Sequence, residues 1–255
     1  MASIKILGVR VDKVDMMDAL CYVDSFIQGD GFHHIITLNA EIIYQAQFNQ
    51  SLKELINSAD LITPDGAGIV WAAGYLGEPV PERVTGIDLM LELCKQAHHN
   101  GWKIFLLGGS PGVADEAADN LQAQYPNINI VGTHHGYFNE AEEGRVLELV
   151  RQADPDLLFV ALGAPHQEFW IREHKEELPV KIAVGVGGSF DVVSGRVKRA
   201  PVWMQKLKLE WLARLIKEPW RFKRMLSLPK FVLMVIRSKS ELEAKKKMDK
   251  QKRLP

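Results

Sequence analysis

The sequence predicts an α/β fold in which a mainly parallel sheet is covered by helices on both faces. Three observations support this prediction. Short apolar runs rich in β-branched residues alternate with helical stretches over the first 195 residues, an order that is typical of parallel sheets. Most runs are apolar at successive positions, as expected of strands that are buried on both faces. Each run ends in residues that favour turns, such as Gly, Asn, Asp, Ser and Pro.

The elements follow one another in a regular order. A strand or hairpin at 4–11 and a helix at 16–28 come first. The predicted strand and helix pairs are 35–38 with 41–48, 61–63 with 69–76, 103–107 with 113–124, 128–131 with 140–152 and 157–162 with 167–176, before a last strand at 181–186. The turns after parallel strands share one edge of the sheet, where ligands bind in open α/β folds. We therefore expect six polar side chains to converge there: Thr37, Asn39, Asp65, Ser110, Gln167 and Asp191.

A second region begins near residue 195. Residues 196–255 contain 19 Lys and Arg against 5 Asp and Glu, a balance of +14, whereas residues 1–195 contain 12 against 27, a balance of -15. Prolines divide the basic region into helical pieces, and a charged tail at 241–255 forms either a solvated helix or a disordered end. We predict a core at 1–195 and a basic helical C-terminal appendage at 196–255, which face different partners.

The composition favours a cytoplasmic protein. The two cysteines, Cys21 and Cys94, both lie in stretches predicted to be helical, so a disulfide scaffold is not expected and a reducing compartment fits. The N-terminus lacks the apolar segment of a signal peptide. No stretch approaches the ~18 apolar residues of a membrane span. We expect a cytoplasmic protein that can touch a membrane surface.

Asp65 is the candidate catalytic base. It ends a short apolar run and precedes Gly66 and Gly68, whose lack of a side chain lets another backbone or a ligand approach closely. A carboxylate at the tip of a strand can take a proton from a bound hydroxyl group. An Asp in this place also suits the N-cap of the following helix, and the residues alone leave that alternative open.

The stretch Gly108-Gly109-Ser110-Pro111-Gly112 has the form of an anion site. Ser110 can cap a helix, Pro111 suits the first helical position, and the glycines can expose N–H groups to a diphosphate at the positive end of the helix dipole. A tight turn alone would use similar residues. The chain contains neither GxGxxG nor GxxxxGK[ST], which disfavours a nicotinamide enzyme and a P-loop NTPase.

We expect no metal and no cofactor. Three pairs of adjacent histidines point to different faces of a strand or helix, and they lack neighbouring ligands at zinc-like spacing. Any phosphate would then be neutralised by cationic side chains and helix ends. Arg83 precedes a helix that Thr85 and Asp88 open, where it can grip a phosphate or carboxylate with two hydrogen bonds, or form an ordinary surface salt bridge.

Eight motifs run through the chain in order. They are Thr37-Leu38-Asn39-Ala40-Glu41, Pro64-Asp65-Gly66, Glu82-Arg83-Val84-Thr85-Gly86, Leu107-Gly108-Gly109, Gly163-Ala164-Pro165-His166-Gln167-Glu168, Gly185-Val186-Gly187-Gly188-Ser189-Phe190-Asp191, Gly195-Arg196-Val197-Lys198-Arg199-Ala200-Pro201 and Glu210-Trp211. With these motifs the chain resembles the WecG/TagA/CpsF family of bacterial glycosyltransferases over almost its whole length, most closely the branch that acts in wall teichoic acid synthesis.

The resemblance implies a Rossmann-like core of the type called GT-E. It implies an inverting, metal-independent transfer of N-acetylmannosamine from its UDP conjugate (UDP-ManNAc) to the C4 hydroxyl of N-acetylglucosamine on diphospho-undecaprenol, as in the synthesis of the wall teichoic acid linkage unit. Relatives use other donors, so a transferase for another UDP-sugar, such as UDP-ManNAcA, is the alternative. A lipid-linked acceptor implies a protein peripheral to the inner face of the bacterial membrane.

The resemblance also implies roles for single residues. Asp65 is the base, and the sugar and diphosphate pocket is lined by Thr37, Asn39, Arg83 and Gln167, beside the turn that contains Gly108 and Gly109. The residues near the nucleotide are Gly187, Phe190 and Asp191.

The basic appendage offers further cations. Arg214, Arg221 and Arg224 lie at spacings that share one side of a helix, provided that the Pro219 break does not rotate them apart. We expect the appendage to dock over the crevice at an anionic membrane surface and to bring these arginines to the diphosphates. A solvated basic face on a helix that packs on the core is the alternative.

Two other classes of function stay open on the residues alone. A non-enzymatic protein that binds anionic lipid or nucleic acid would explain the basic segment, but the acidic core argues against a nucleic-acid partner. A sugar-nucleotide epimerase or dehydrogenase would need a nicotinamide fingerprint, which the chain lacks. A monomer and a homo-oligomer are both open alternatives for the assembly.

Overall fold

The computed structural model of this chain describes residues 1–206, 210, 212, 215 and 226–252. Its strands are β1 (Ser3–Ile6), β2 (Val9–Asp12), β3 (His33–Leu38), β4 (Leu61–Pro64), β5 (Lys103–Gly108), β6 (Asn129–His134), β7 (Leu157–Ala161) and β8 (Ile182–Gly185). Its helices are α1 (Met16–Gln28), α2 (Ala40–Ala46), α3 (Gln50–Ser58), α4 (Ala67–Tyr75), α5 (Gly86–Asn100), α6 (Val113–Gln124), α7 (Glu140–Ala153), α8 (His166–His174), α9 (Ser189–Val193), α10 (Val202–Lys206) and α11 (Ser227–Lys252).

The main sheet confirms the predicted α/β fold. Six strands pair in the order β4-β3-β8-β7-β5-β6, and every pairing is parallel. Strand β4 lies on one side of β3, at one edge of the sheet. Strands β5 and β6 lie on the other side, beyond β8 and β7, with β6 at the opposite edge. In such sheets the carboxyl ends of the strands open into a crevice where the order reverses.

Helices cover both faces because the strand side chains alternate between them. Ile35 packs on one face with the buried side chains of α1, α5 and α6, whereas its neighbour Ile36 packs on the opposite face with α2, α3 and α4. Leu158 and Val160 continue that second face under α7 and α8. Strands that bury both faces explain the continuous apolar runs of the sequence.

The two edges of the sheet are protected differently. At the β4 edge the antiparallel hairpin β1–β2 packs alongside, and the Asp12 carboxylate accepts a hydrogen bond of 2.8 Å from the Ile62 N–H. At the other edge β6 leaves its side chains partly exposed. Burial on both faces therefore holds for the inner strands but was wrong for β6. The sequence reading also missed α3, a short helix that Asn49 caps.

The C-terminal helix shares the core of the α/β sheet. Phe231 and Val235 of α11 are fully buried, within the same hydrophobic cluster as α2 and α4. The alternative in which a helix of the basic region packs on the core therefore holds for α11. The boundary near residue 195 stays a prediction. None of the helices in the described ranges is long and apolar enough to cross a membrane.

Candidate active site

A cavity of about 960 Å³ opens at the carboxyl edge of the sheet. Its wall is formed by the turns after β3, β4, β5, β7 and β8, and α11 closes one side with Leu228, Phe231 and Val232. Pockets of this size accommodate substrates and cofactors. The six polar residues expected at this edge all line the cavity: Thr37, Asn39, Asp65, Ser110, Gln167 and Asp191.

Asp65 is held at the tip of β4 by its own backbone. Its N–H donates to the carbonyl oxygen of Leu38 at 2.8 Å, and its Oδ2 accepts from the Gly86 N–H at 3.2 Å. The N-cap of α4 is Gly66, without any side-chain hydrogen bond. Asp65 therefore does not cap the helix that follows it, and its carboxylate instead meets the first turn of α5 at the cavity wall.

Burial raises the pKa of Asp65 to about 6. The hydrogen bond from Gly86 and the positive charge of Arg83 act in the opposite direction, whereas the carboxylates of Glu210 and Asp88 raise the pKa further. The residue as a whole is only partly buried and lines the cavity, so a ligand in the cavity can reach it. A carboxylate with a pKa just below neutrality combines useful basicity with ionisation at pH 7.

Four charged side chains form a chain of ion pairs beside Asp65. The Arg83 Nη2 lies 2.6 Å from Glu210 Oε2, and Arg199 Nε lies 3.1 Å from Glu210 Oε1. Arg199 also binds both oxygens of Asp88, at 2.6 and 2.9 Å. Burial raises the pKa of Asp88, but the hydrogen bonds from Arg199 and Thr85 outweigh it and hold that pKa below its usual range.

Sequence reasoning missed most of this network. It found Arg83, and it found Asp88 only as part of a helix start. Arg199 and Glu210 stood in two of the motifs, but no spacing indicates that they pair with residues more than 100 positions away. Arg214, Arg221 and Arg224, the predicted phosphate contacts, lie outside the described residues.

Gln167 joins two turns of the cavity wall. Its Oε1 accepts from the N–H groups of Gly163 and Gly187, at 3.2 and 3.1 Å, and its Nε2 donates to Glu168 Oε1 at 2.8 Å. The amide therefore fixes the shape of the pocket, whatever else it contacts. Thr37 acts in a similar way, because its hydroxyl donates to the carbonyl oxygen of Gly185 at 2.9 Å.

A second acid in this region is unsuited to meet an acceptor. Burial raises the pKa of Glu168 to about 7, but its side chain is 0% exposed and lies beneath Gln167. Its Oε2 has no hydrogen-bond partner in the part of the chain that the structure describes. Of these two carboxyl groups with a raised pKa, Asp65 lines the cavity and Glu168 does not.

The glycine-rich turn after β5 differs from its prediction. Helix α6 begins at Val113 with Gly112 as its N-cap, so Ser110 does not cap it and Pro111 is not its first residue. The Gly109 N–H donates to Ala161 at 3.0 Å, and the Gly109 carbonyl oxygen accepts from Gly136 at 2.8 Å. The expectation that Gly109 offers its N–H to a diphosphate was therefore wrong.

Gly108 allows two strands of the sheet to pack closely. It does not line the cavity, and a Cβ atom there would lie 2.5 Å from the backbone of Ala161 on β7. The nearby start of α6 is covered by Arg196, whose guanidinium binds both oxygens of Glu116 at 2.7 Å. We conclude that close packing of β5 and β7 accounts for Gly108.

The remaining candidates line the cavity in different ways. Asn39 caps α2 by accepting from the Ile42 N–H at 3.1 Å. Gly187 and Asp191 border the cavity from the turn after β8 and from α9, and Phe190 is 1% exposed and extends from the cavity wall into the core. Among the described residues no group of three His, Cys, Asp or Glu side chains is arranged to hold a metal ion.

Comparison with known proteins identifies the family of this chain. Residues 4–245 match the Glycosyl transferase WecG/TagA/CpsF family. An N-acetylglucosaminyldiphosphoundecaprenol N-acetyl-beta-D-mannosaminyltransferase from Bacillus subtilis (strain 168) is 40% identical over 203 residues, which are 80% of this chain and 78% of that protein. A protein of the same name from Staphylococcus aureus (strain MRSA252) is 37% identical over 247 residues, or 96% of each chain. The chain belongs to the WecG/TagA/CpsF family of glycosyl transferases.

Proposed function

We propose that this protein transfers N-acetylmannosamine from UDP-ManNAc to the C4 hydroxyl of the N-acetylglucosamine that undecaprenol carries through a diphosphate. This reaction makes the linkage unit of wall teichoic acid. The relatives named for an N-acetylmannosaminyl transfer align with 80 to 96% of this chain. One observation in the structure supports the proposal: the carboxylate of Asp65 faces a cavity large enough for a nucleotide-linked sugar.

In the proposed mechanism Asp65 acts as the general base. Its carboxylate takes the proton of the acceptor hydroxyl as that oxygen attacks the anomeric carbon of the donor. The bond between the anomeric carbon and the UDP oxygen breaks on the opposite face, its electron pair leaves with UDP, and the anomeric configuration inverts. The raised pKa of Asp65 favours proton transfer, because a base near neutrality accepts the proton more readily than an ordinary aspartate.

Cationic side chains and backbone dipoles are proposed to hold the charge that collects on UDP. Arg83 and Lys198 line the cavity, and the appendage is proposed to add Arg214, Arg221 and Arg224. Preorganised cations stabilise a developing diphosphate anion without a metal ion. The roles of the other sugar-pocket and nucleotide residues remain part of this proposal: Thr37, Asn39, Gln167, Gly187, Phe190 and Asp191.

The acceptor is a lipid, so we propose that the protein works at the cytoplasmic face of the membrane. Exposed apolar side chains of the C-terminal region, among them Trp203, Leu226 and Leu233, support contact with lipid. Its positive charge supports attraction to anionic headgroups, worth about 1 kcal/mol for each basic residue near the surface. Equal binding to neutral and anionic vesicles would contradict the electrostatic part of this proposal.

Product analysis tests the reaction. The protein is incubated with UDP-ManNAc and a short-chain lipid acceptor, and the product mass is determined. Parallel incubations with UDP-ManNAcA and UDP-N-acetylglucosamine test the donor, and Asp65→Asn is the catalytic control. We expect addition of one N-acetylmannosamine with UDP-ManNAc only. Preferential use of UDP-ManNAcA would identify a transferase for a different sugar, and an altered UDP-sugar in the absence of acceptor would identify an epimerase.

A further inference from the structure

Glu210 lies beyond the predicted core, yet its carboxylate binds two arginines of the site. One oxygen accepts from Arg83 at 2.6 Å and the other from Arg199 at 3.1 Å. Arg199 is itself fixed by two hydrogen bonds to Asp88, which Thr85 holds at the start of α5. The carboxylate of Glu210 is thus anchored through Arg199 to the α/β core, and its second oxygen is left for Arg83.

We propose that Glu210 is a positioning residue that holds Arg83 for the diphosphate of the donor. This inference rests on the proposed function, in which Arg83 contacts that diphosphate. It adds a role for the C-terminal region that differs from the delivery of arginines: the region also supplies a carboxylate that orients a cation of the core.

The geometry favours positioning over competition with the substrate. Glu210 contacts a single nitrogen of Arg83, Nη2, and the Nε and Nη1 of Arg83 have no hydrogen-bond partner within the ranges that the structure describes. A guanidinium has five N–H donors in a rigid fork. One end of the fork can therefore be held by Glu210 while the others bind a phosphate oxygen.

A second consequence concerns the candidate base. Arg83 is close enough to Asp65 for its charge to lower the pKa of that carboxyl group, and Glu210 and Asp88 act in the opposite direction. Without the charge of Glu210, one of the carboxylates that raise the pKa of Asp65 is lost while the charge of Arg83 still lowers it. The base would then be a weaker proton acceptor. Charged groups that face Asp65 from the packed elements are Arg83, Asp88, Arg199 and Glu210, with Glu41, Asp191 and Lys198 on the same cavity wall.

The test compares Glu210→Gln and Glu210→Asp in the full-length protein. Binding of UDP is measured by titration calorimetry, and the donor KM and the pH profile of kcat/KM are measured by transfer. In Glu210→Gln, Arg83 is no longer held by a carboxylate and should lose one charge-assisted contact to the diphosphate. This loss predicts about 10-fold weaker UDP binding and a similar rise in donor KM. The acidic limb of its pH profile should move to lower pH. Glu210→Asp keeps the charge and should restore part of the affinity.

The control is Glu78→Gln, since Glu78 is an exposed carboxylate that pairs with Lys13 away from the cavity. Thermal unfolding shows whether each variant folds. The Arg83→Gln variant, alone and combined with Glu210→Gln, closes a double-mutant cycle. If Glu210 acts through Arg83, the double variant binds UDP no more weakly than Arg83→Gln alone.

The outcomes separate this inference from the proposed function. UDP binding of Glu210→Gln equal to that of Glu78→Gln, or additive losses in the cycle, would overturn the role of Glu210 even if the wild type transfers N-acetylmannosamine. Non-additive losses would support it even if another UDP-sugar proves to be the donor. A wild-type protein that binds no UDP would overturn both.

Discussion

Two strand-to-helix turns meet at the same edge of the sheet and look alike in the sequence. Residues 64–68, from the end of β4 into α4, read Pro-Asp-Gly-Ala-Gly, and residues 108–112, from the end of β5 to the N-cap of α6, read Gly-Gly-Ser-Pro-Gly. Both contain Pro and Gly, both follow a buried strand, and both precede a helix. From the sequence alone we predicted that each turn contacts a ligand.

The structure treats the two turns differently. In the β4 turn the carboxylate of Asp65 faces the cavity, and an added Cβ at Gly66 would meet nothing closer than 3.9 Å. In the β5 turn the N–H and carbonyl groups of Gly109 are bonded to neighbouring strands and turns, and Gly108 lies against the backbone of Ala161. The first turn presents a carboxylate to the cavity, whereas the second uses the backbone polar groups of Gly109 to hold the fold.

The comparison shows that turn residues alone do not identify a site. Glycine is required both where a ligand approaches and where two strands approach, so the sequence pattern is the same. What distinguishes them is whether the polar groups of the turn already have partners, and that depends on strands far away in sequence.

The largest expected effect separates the two turns by activity. Asp65→Asn keeps the shape of the side chain but removes its basicity, so turnover should fall about 10²–10⁴-fold. UDP binding should change little. Ser110→Ala, the matched substitution in the β5 turn, should stay within about 3-fold of the wild-type rate, because Ser110 is not expected to carry chemistry. Transfer kinetics measure both, and near-normal turnover of Asp65→Asn would remove Asp65 as the base.

Substitutions in the β4 turn should lower activity more, whereas a substitution in the β5 turn should lower the free energy of unfolding more. Gly108→Ala places a methyl group 2.5 Å from backbone atoms at a φ of +132°, so the free energy of unfolding should fall by about 3 kcal/mol or more. Gly66→Ala has room for the methyl group and is disfavoured only by its φ of +98°, at about 1–3 kcal/mol. Urea denaturation measures both. A smaller loss for Gly108→Ala than for Gly66→Ala would contradict the packing role of Gly108.

The fold was predictable because its signals are local. The bounds of α1 and α6 are those predicted from the sequence, 16–28 and 113–124. Helix α3 was missed although Asn49, followed by Leu52, Leu55 and Ile56, carries a cap and helical spacing. The partial exposure of β6 depends on its place at the edge of the sheet, and strand order cannot be read from one sequence.

The candidate site was predictable only in part. The six side chains at the carboxyl edge converge because a parallel sheet brings its turns together, whatever the strand order. The ion pairs of Arg83 with Glu210 and of Arg199 with Asp88 join residues 127 and 111 positions apart. No periodic pattern encodes such pairs. They follow from where the C-terminal segment meets the core.

The pH dependence of the β4 turn sharpens the comparison further. Asp65 must be ionised to act as a base, so kcat/KM should fall as the pH drops through about 6, the pKa to which burial raises this group. The contribution of Asp65 to the free energy of unfolding changes with pH in the opposite direction to kcat/KM. A carboxyl group whose pKa is higher in the folded than in the unfolded state favours folding when protonated, and this contribution is lost as the pH rises from about 4 to about 6.

Asp65→Asn does not titrate, so its stability relative to the wild type should increase over the same pH range, by about 1–3 kcal/mol. Urea denaturation at pH 4.5 and pH 8, values on the order of one unit or more from the pKa of Asp65, measures the difference. Ser110→Ala serves as the control, since it should show no such trend. An unchanged difference between Asp65→Asn and wild type at the two pH values would mean that the carboxyl group is not perturbed.

The smallest effect is expected where the β5 turn meets the C-terminal segment. Arg196 and Glu116 form an exposed pair beside the start of α6, and exposed pairs contribute little to stability. Arg196→Gln should therefore shift the melting temperature by no more than about 2 °C and the transfer rate by no more than about 2-fold. A large loss of UDP affinity in this variant would mean that the start of α6 takes part in donor binding after all. Both turns would then take part in ligand binding, but in different ways. The β4 turn would act through its own Asp65, whereas the β5 turn would depend on Arg196 of the C-terminal segment to bind the anion.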